Sequence, residues 1–90
     1  MHTREELKEI AIKYLESTYP TLINTIATAM EERAKKGKEC LYRYSVETED
    51  EARGMDRYFK AKGFSTESSW SEFDKETKEF KGWYVSIFWW

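Results

Sequence analysis

The sequence predicts a two-layer α+β domain, with helices packed on one face of a three-stranded antiparallel sheet. Three observations support this fold class. Apolar residues recur at helical spacing over 3–37 and again over 48–62, and they alternate with polar residues over 38–47. Residues 64–90 are rich in aromatic residues and have the length of one hairpin. The predicted element order is therefore α-α-β-α-β-β, within a single domain over residues 1–90.

Two helices account for the first third of the chain. Thr3 begins the first helix, because Glu6 three residues later completes a capping-box pattern. The buried stripe predicted for this helix comprises Leu7, Ile10, Ala11, Tyr14 and Leu15. Pro20 separates the two helices, since a proline inside a helix loses a hydrogen bond and clashes with the preceding turn. The second helix ends at Gly37, a typical C-cap residue.

A half-buried strand and a third helix come next. Alternation predicts that one set of strand side chains faces the core and the other faces outward. The inward set is Cys40, Tyr42, Tyr44 and Val46, and the outward set is Leu41, Arg43, Ser45 and Glu47. A second capping-box pattern, Thr48 with Glu51, begins the third helix. Its predicted buried stripe is Ala52, Met55, Tyr58 and Phe59, although Gly54 weakens the helix.

Residues 64–90 predict one long hairpin whose turn lies within 74–78. A loop centred between 76 and 77 aligns three aromatic pairs in one register, and such pairs stabilise a hairpin. The pairs are Phe64 with Trp89, Trp70 with Trp83, and Phe73 with Phe80. The last strand is the most apolar of the three, which favours a central position with a neighbour on each side. The predicted strand order is therefore 1-3-2.

The last strand has two unequal faces. Its predicted core face carries Trp83, Val85, Ile87 and Trp89, and the opposite face carries Tyr84, Ser86, Phe88 and Trp90. Three aromatic side chains on the second face would expose about 400 Å², a size typical of an interaction surface. Two alternatives remain open. The stems of Arg43 and Glu67 could cover these rings, or a helix could cross over them.

The residue types argue against an enzyme. His2 is the single histidine, and Cys40 is the single cysteine, with no histidine beside it in the sequence to activate the thiol. The acidic residues over 47–51 suit a helix start and lack the ligand spacing of a calcium loop. We therefore expect no catalytic residue, no metal and no cofactor. Without a signal-peptide pattern or a long apolar segment, the expected location is the cytoplasm, with no membrane partner.

The charge balance narrows the choice of partner. Fifteen basic and seventeen acidic residues give a net charge of −2, which argues against a DNA-coating protein. Two small basic clusters leave single-stranded nucleic-acid binding as an alternative. They consist of Arg33, Lys35, Lys36 and Lys38, and of Arg53, Arg57, Lys60 and Lys62. A homodimer or a structural subunit that uses the aromatic face is a further alternative.

Four segments carry a resemblance to other proteins: a charged helix that runs into "KKGK", a strand "CLYRYSVE", a helix that ends in "YFKAKGF", and a last strand that ends in tryptophan. In these the chain resembles small uncharacterised bacteriophage-encoded α+β proteins. Many such proteins bind a host protein and inhibit or redirect it, so the resemblance implies an inhibitor or adaptor in the host cytoplasm.

The expected function is thus non-enzymatic protein binding. The candidate binding residues on the aromatic face are Tyr84, Phe88 and Trp90, with Arg43 beside them. The charged hairpin end offers a second candidate surface through Phe73 and Phe80.

Overall fold

The structure is a computed structural model that describes residues 1–71, 76 and 82–90. Within these residues the elements follow the predicted order. They are α1 (Arg4–Thr18), α2 (Pro20–Lys35), β1 (Cys40–Val46), α3 (Glu49–Ala61), β2 (Ser65–Ser71) and β3 (Gly82–Phe88). The α+β class with a three-stranded antiparallel sheet is confirmed.

Local sequence signals set the helix boundaries. The Thr3 hydroxyl accepts a hydrogen bond from the Glu6 N–H at 3.2 Å, and the Glu6 carboxylate accepts one from the Thr3 N–H at 3.1 Å. Thr48 and Glu51 form the same reciprocal pair at the start of α3. Pro20 is the first residue of α2, where its missing N–H would have no helical partner in any case. Both capping boxes and the break at Pro20 are therefore confirmed.

The sheet has the predicted strand order, with β3 between β1 and β2 and antiparallel to both. The register of β2 on β3 is also the predicted one, because Trp70 lies opposite Trp83. Their rings meet edge to face, with 5.6 Å between the ring centroids. The predicted pair Phe73–Phe80 lies outside the described residues, as does the predicted turn within 74–78 apart from Glu76.

The hydrophobic core lies between the sheet and the helices α2 and α3. Val85 and Ile87 of β3 have no exposed surface, and neither does Met55 of α3 or Ile26 of α2. The Thr66 hydroxyl donates a hydrogen bond at 3.2 Å to the Asp56 carbonyl oxygen, which ties β2 to α3. The central strand therefore carries the most deeply buried side chains of the sheet.

Gly54 has a packing role in α3. A Cβ at this position would lie 3.1 Å from Leu15 Cδ2 and 3.4 Å from Tyr19 Cε2. The lower helix propensity of glycine is thus offset by the close approach of α1 to α3.

The predicted buried stripe of α1 is wrong. The exposed fractions of Leu7, Ile10 and Tyr14 are 55%, 51% and 64%, and only Leu15 of the stripe is buried. The reason is that α1 packs against α2 and α3 on the outer side of the helical layer. Its contacts with the core pass through Leu15 and the half-buried Ile12.

The alternation predicted for β1 is wrong at its centre, where a β-bulge shifts the register against β3. Leu41 lies opposite Ile87 and Tyr44 opposite Val85, so the two residues between them face one residue of β3. As a result Leu41 is buried in the core, whereas Tyr42 is 57% exposed. Val46 is buried in the core, as predicted.

Replacing Ile87 with alanine tests the position of the core. We expect Ile87→Ala to lower the free energy of unfolding by about 2–5 kcal/mol, because the side chain is completely buried. The matched control is Ile10→Ala, which makes the same chemical change at a half-exposed site and should alter stability by about 0.5 kcal/mol or less. Urea denaturation followed by circular dichroism measures both values. Equal losses in the two variants would contradict the burial of β3.

The ionisation of Tyr58 makes the free energy of unfolding depend on pH in the alkaline range. Burial raises the pKa of Tyr58, and the Glu16 carboxylate, which accepts a hydrogen bond from the phenol at 3.3 Å, raises this pKa further. The resulting stability is fully present below the unfolded-state pKa of about 10 and is lost as the pH rises through the folded-state pKa.

We therefore expect Tyr58→Phe to lose less stability than the wild type between neutral pH and about pH 11. Urea denaturation at a series of pH values measures this difference. The variant keeps the other tyrosines and lysines, so their titration is common to both proteins. Parallel curves would show that Tyr58 is not the responsible group.

Candidate functional site

The candidate site lies on the side of the sheet that faces away from α2 and α3, here called the open face. Tyr84, Ser86 and Phe88 point to this side, because they alternate with the core residues Val85 and Ile87. Tyr84 and Phe88 are half-buried and do not pack against the core cluster, whereas the partly buried Trp83 and Trp89 do. The predicted division of β3 into two faces is therefore confirmed.

The β-bulge adds a third aromatic residue and a cation to the open face, beside Tyr84 and Phe88. The Arg43 guanidinium lies 5.3 Å from the ring centroid of Tyr42 and 5.2 Å from that of Tyr84. Both distances are within the range of a cation–π interaction. Tyr42, Arg43 and Tyr84 thus form one cluster that joins β1 to β3, which we call the tyrosine–arginine cluster.

Ser86 holds the bulge in place beneath this cluster. The Arg43 N–H donates a hydrogen bond of 2.8 Å to the Ser86 hydroxyl oxygen, and Ser86 is only 1% exposed. Arg43 has a φ of +50°, a left-handed conformation that is uncommon for a residue with a side chain. The hydrogen bond therefore helps to stabilise a backbone geometry that directs Arg43 toward the two tyrosine rings.

The remaining predicted residues lie at different distances from this cluster. Trp90 follows β3 and is 93% exposed. Its neighbour Trp89 is held on the core side, where the indole N–H donates a hydrogen bond of 3.1 Å to the Lys38 carbonyl oxygen. Phe73 and Phe80, the predicted second surface, lie outside the described residues.

The structure bears on one alternative and corrects one prediction for this face. The Arg43 guanidinium lies over the Tyr84 ring, which is the Arg43 half of the covering alternative. Tyr42 belongs to the site but was predicted in the core, because regular alternation carries no signal for a bulge. The positive φ of Arg43 has no sequence signal either, since glycine or asparagine is the usual residue there.

The described residues contain no group of three or more histidine, cysteine, aspartate or glutamate side chains that could hold a metal ion. His2 lies 3.4 Å from a Glu6 carboxylate oxygen at the start of α1, and Cys40 is a half-buried free thiol. Within the same residues, the helices are too short or too polar to cross a membrane.

No protein-family model, curated protein or solved structure matches this chain. The site is therefore defined by its own geometry, namely the tyrosine–arginine cluster, Phe88 and the exposed Trp90.

The hydrogen bond from Arg43 to Ser86 can be tested by a single substitution. We expect Ser86→Ala to lower the free energy of unfolding by about 1–3 kcal/mol, because the Arg43 N–H loses this acceptor at a part-buried site. The control is Ser69→Ala, a half-buried position on the neighbouring strand, with an expected change of about 0.5 kcal/mol or less. Chemical denaturation measures both changes. If Ser86→Ala costs no more than Ser69→Ala, this bond does not stabilise the bulge.

Proposed function

We propose that the protein is a non-enzymatic protein-binding module, an inhibitor or adaptor, that contacts its partner through the open face. The observation that carries this proposal is the tyrosine–arginine cluster, placed on the side of the sheet away from the helices. Phe88 extends the apolar surface along β3, and Trp90 adds an exposed ring at the end of the strand.

The residue types support protein binding. Tyrosine, tryptophan and arginine are the residues most enriched among those that dominate binding energy at protein interfaces. In addition, Arg43 already lies between two rings, so it loses less conformational freedom on binding than an extended arginine would. The open face thus resembles the centre of an interface that is organised before the partner arrives.

The surroundings of the aromatic residues suit the rim of an interface. Exposed polar residues border them on both edge strands, namely Ser45 on β1 and Ser65 and Glu67 on β2. Protein interfaces typically combine an apolar centre with a polar rim and bury about 800 Å² on each partner. The aromatic residues are too few to supply this area alone, so we expect neighbouring polar residues to contribute the remainder.

The charge distribution favours a protein partner over nucleic acid. The chain carries a net charge of −2, and Glu67 lies on the open face opposite Ser86. Binding to phosphates would depend steeply on salt, because it releases counterions. We expect association through the open face to change little with salt concentration. The resemblance to phage-encoded proteins makes a bacterial host protein the partner class to search first.

A pull-down from bacterial lysate, read by mass spectrometry, tests the proposal. The test variant is Tyr84→Thr with Phe88→Thr, since threonine favours strands and should keep the sheet intact. The control is Leu7→Thr with Ile10→Thr, which removes two exposed apolar side chains from α1 instead. We expect a protein that the wild type and the control retain and the test variant loses. Thermal unfolding verifies that both variants are folded.

Retention of the same proteins by the test variant would contradict the role of the open face. Size-exclusion chromatography with light scattering covers the homodimer alternative. If the wild type is a dimer and the test variant a monomer, the open face is an interface between two copies, and the external partner must bind elsewhere.

A further inference from the structure

A groove runs between α1 and α3, away from the open face. Its volume is about 780 Å³. Ala11 and Ala61 line it with short side chains, and Gly54 lines it where α1 approaches α3 closely. The aromatic residues Tyr14 and Tyr19 also line it, as do five basic residues and one acidic residue, Asp50. The basic residues are Arg4, Lys8, Arg53, Arg57 and Lys60.

The positive charge of this groove is only partly neutralised. Arg53 forms an ion pair with Glu49 at 2.6 Å, and Lys60 forms a longer one with Asp56 at 3.7 Å. In the part of the chain that the structure describes, Arg4, Lys8 and Arg57 form no ion pair. Three cations without a carboxylate partner are thus gathered in one groove of a protein whose net charge is −2.

The groove has two chemically different ends. The end of α1 lies beside the start of α3, since Tyr19 is next to Gly54, and Asp50 helps to raise the pKa of Tyr19 after burial. Tyr58 of α3 donates a hydrogen bond to Glu16 of α1, so the two helices run in opposite directions, and Arg4 and Lys8 lie toward the end of α3 that carries Arg57 and Lys60. Tyr19 therefore lies toward one end, with Asp50 and Arg53, and the other four cations lie toward the opposite end, with the exposed Tyr14 ring along the wall.

We propose that this groove binds a small phosphorylated ligand that carries an aromatic ring, of the nucleotide class. The guanidinium groups of Arg4 and Arg57 contact the phosphates, since each matches phosphate oxygens with two parallel hydrogen bonds, and the Lys8 ammonium adds a positive point charge. Tyr14 and Tyr19 contact the ring system. The volume supports a ligand of this size, since pockets for small molecules typically measure about 300–1,000 Å³. The site is separate from the open face and does not depend on the proposed function.

Nuclear magnetic resonance titration of the complete chain tests this site directly. The probes are ATP, adenosine and inorganic triphosphate, each without divalent cations. We expect ATP to shift the amide signals of Ala11, Gly54 and Ala61 while leaving those of Val85 and Ile87 unchanged. Adenosine and triphosphate should each bind at least about tenfold more weakly than ATP, because each fills only one end of the groove.

Matched substitutions separate the two ends of the groove. Lys8→Gln with Arg57→Gln should weaken ATP binding about tenfold or more, whereas Lys13→Gln, on α1 but outside the groove, should not change it. Tyr14→Ser should weaken ATP binding while leaving triphosphate binding unchanged. Tyr42→Ser, which removes an equally exposed ring from the open face, is its control. All these side chains are exposed, so the variants should remain folded.

Three results would overturn the proposal. The first is the absence of groove shifts with about 5 mM ATP. The second is triphosphate binding as tight as ATP binding, which would make the groove a general polyanion site without ring recognition. The third is a short single-stranded oligonucleotide that binds far more tightly than ATP, with shifts that extend beyond the groove. None of these results would affect the pull-down with the Tyr84 and Phe88 variant.

Discussion

The burial of β3 between two strands and beneath two helices is the constraint on which the rest of the structure depends. Val85 and Ile87 have no exposed surface, and they pair with residues of both edge strands. Since side chains alternate along a strand, fixing these two in the core also fixes Tyr84, Ser86 and Phe88 on the opposite side. Core and open face are thus two consequences of the same strand register.

The sequence was sufficient to predict the architecture because several local signals agreed. Two capping boxes and one proline located the helix boundaries, and the aromatic pair Trp70–Trp83 located the hairpin register. The apolar character of the last strand then indicated its central position, and with it the 1-3-2 order. Agreement between local preference and global topology is what makes such predictions dependable.

Two features could not be predicted, for different physical reasons. The stripe of α1 has helical spacing, but spacing cannot tell whether another element will cover a helix, and here Leu7 and Ile10 have no such cover among the described residues. The bulge in β1 places Arg43 at a positive φ. Arg43 also donates a hydrogen bond to Ser86 and contacts two tyrosine rings. The contacts with Ser86 and Tyr84 come from β3, about forty residues away, so no local pattern reveals them.

The thin attachment of α1 has a consequence for the motions of the protein. One buried side chain, Leu15, the half-buried Ile12 and a hydrogen bond from Tyr58 to Glu16 hold this helix to the rest of the domain, whereas the sheet is held by paired strands and a dense apolar layer. Regions with few buried contacts open at a lower free energy than the global unfolding of the chain. We therefore expect the amide hydrogens of α1 to exchange with solvent when this helix alone opens, and those of β3 to exchange only when the whole chain unfolds. Each opening of α1 removes one wall of the groove between α1 and α3 and leaves the open face intact.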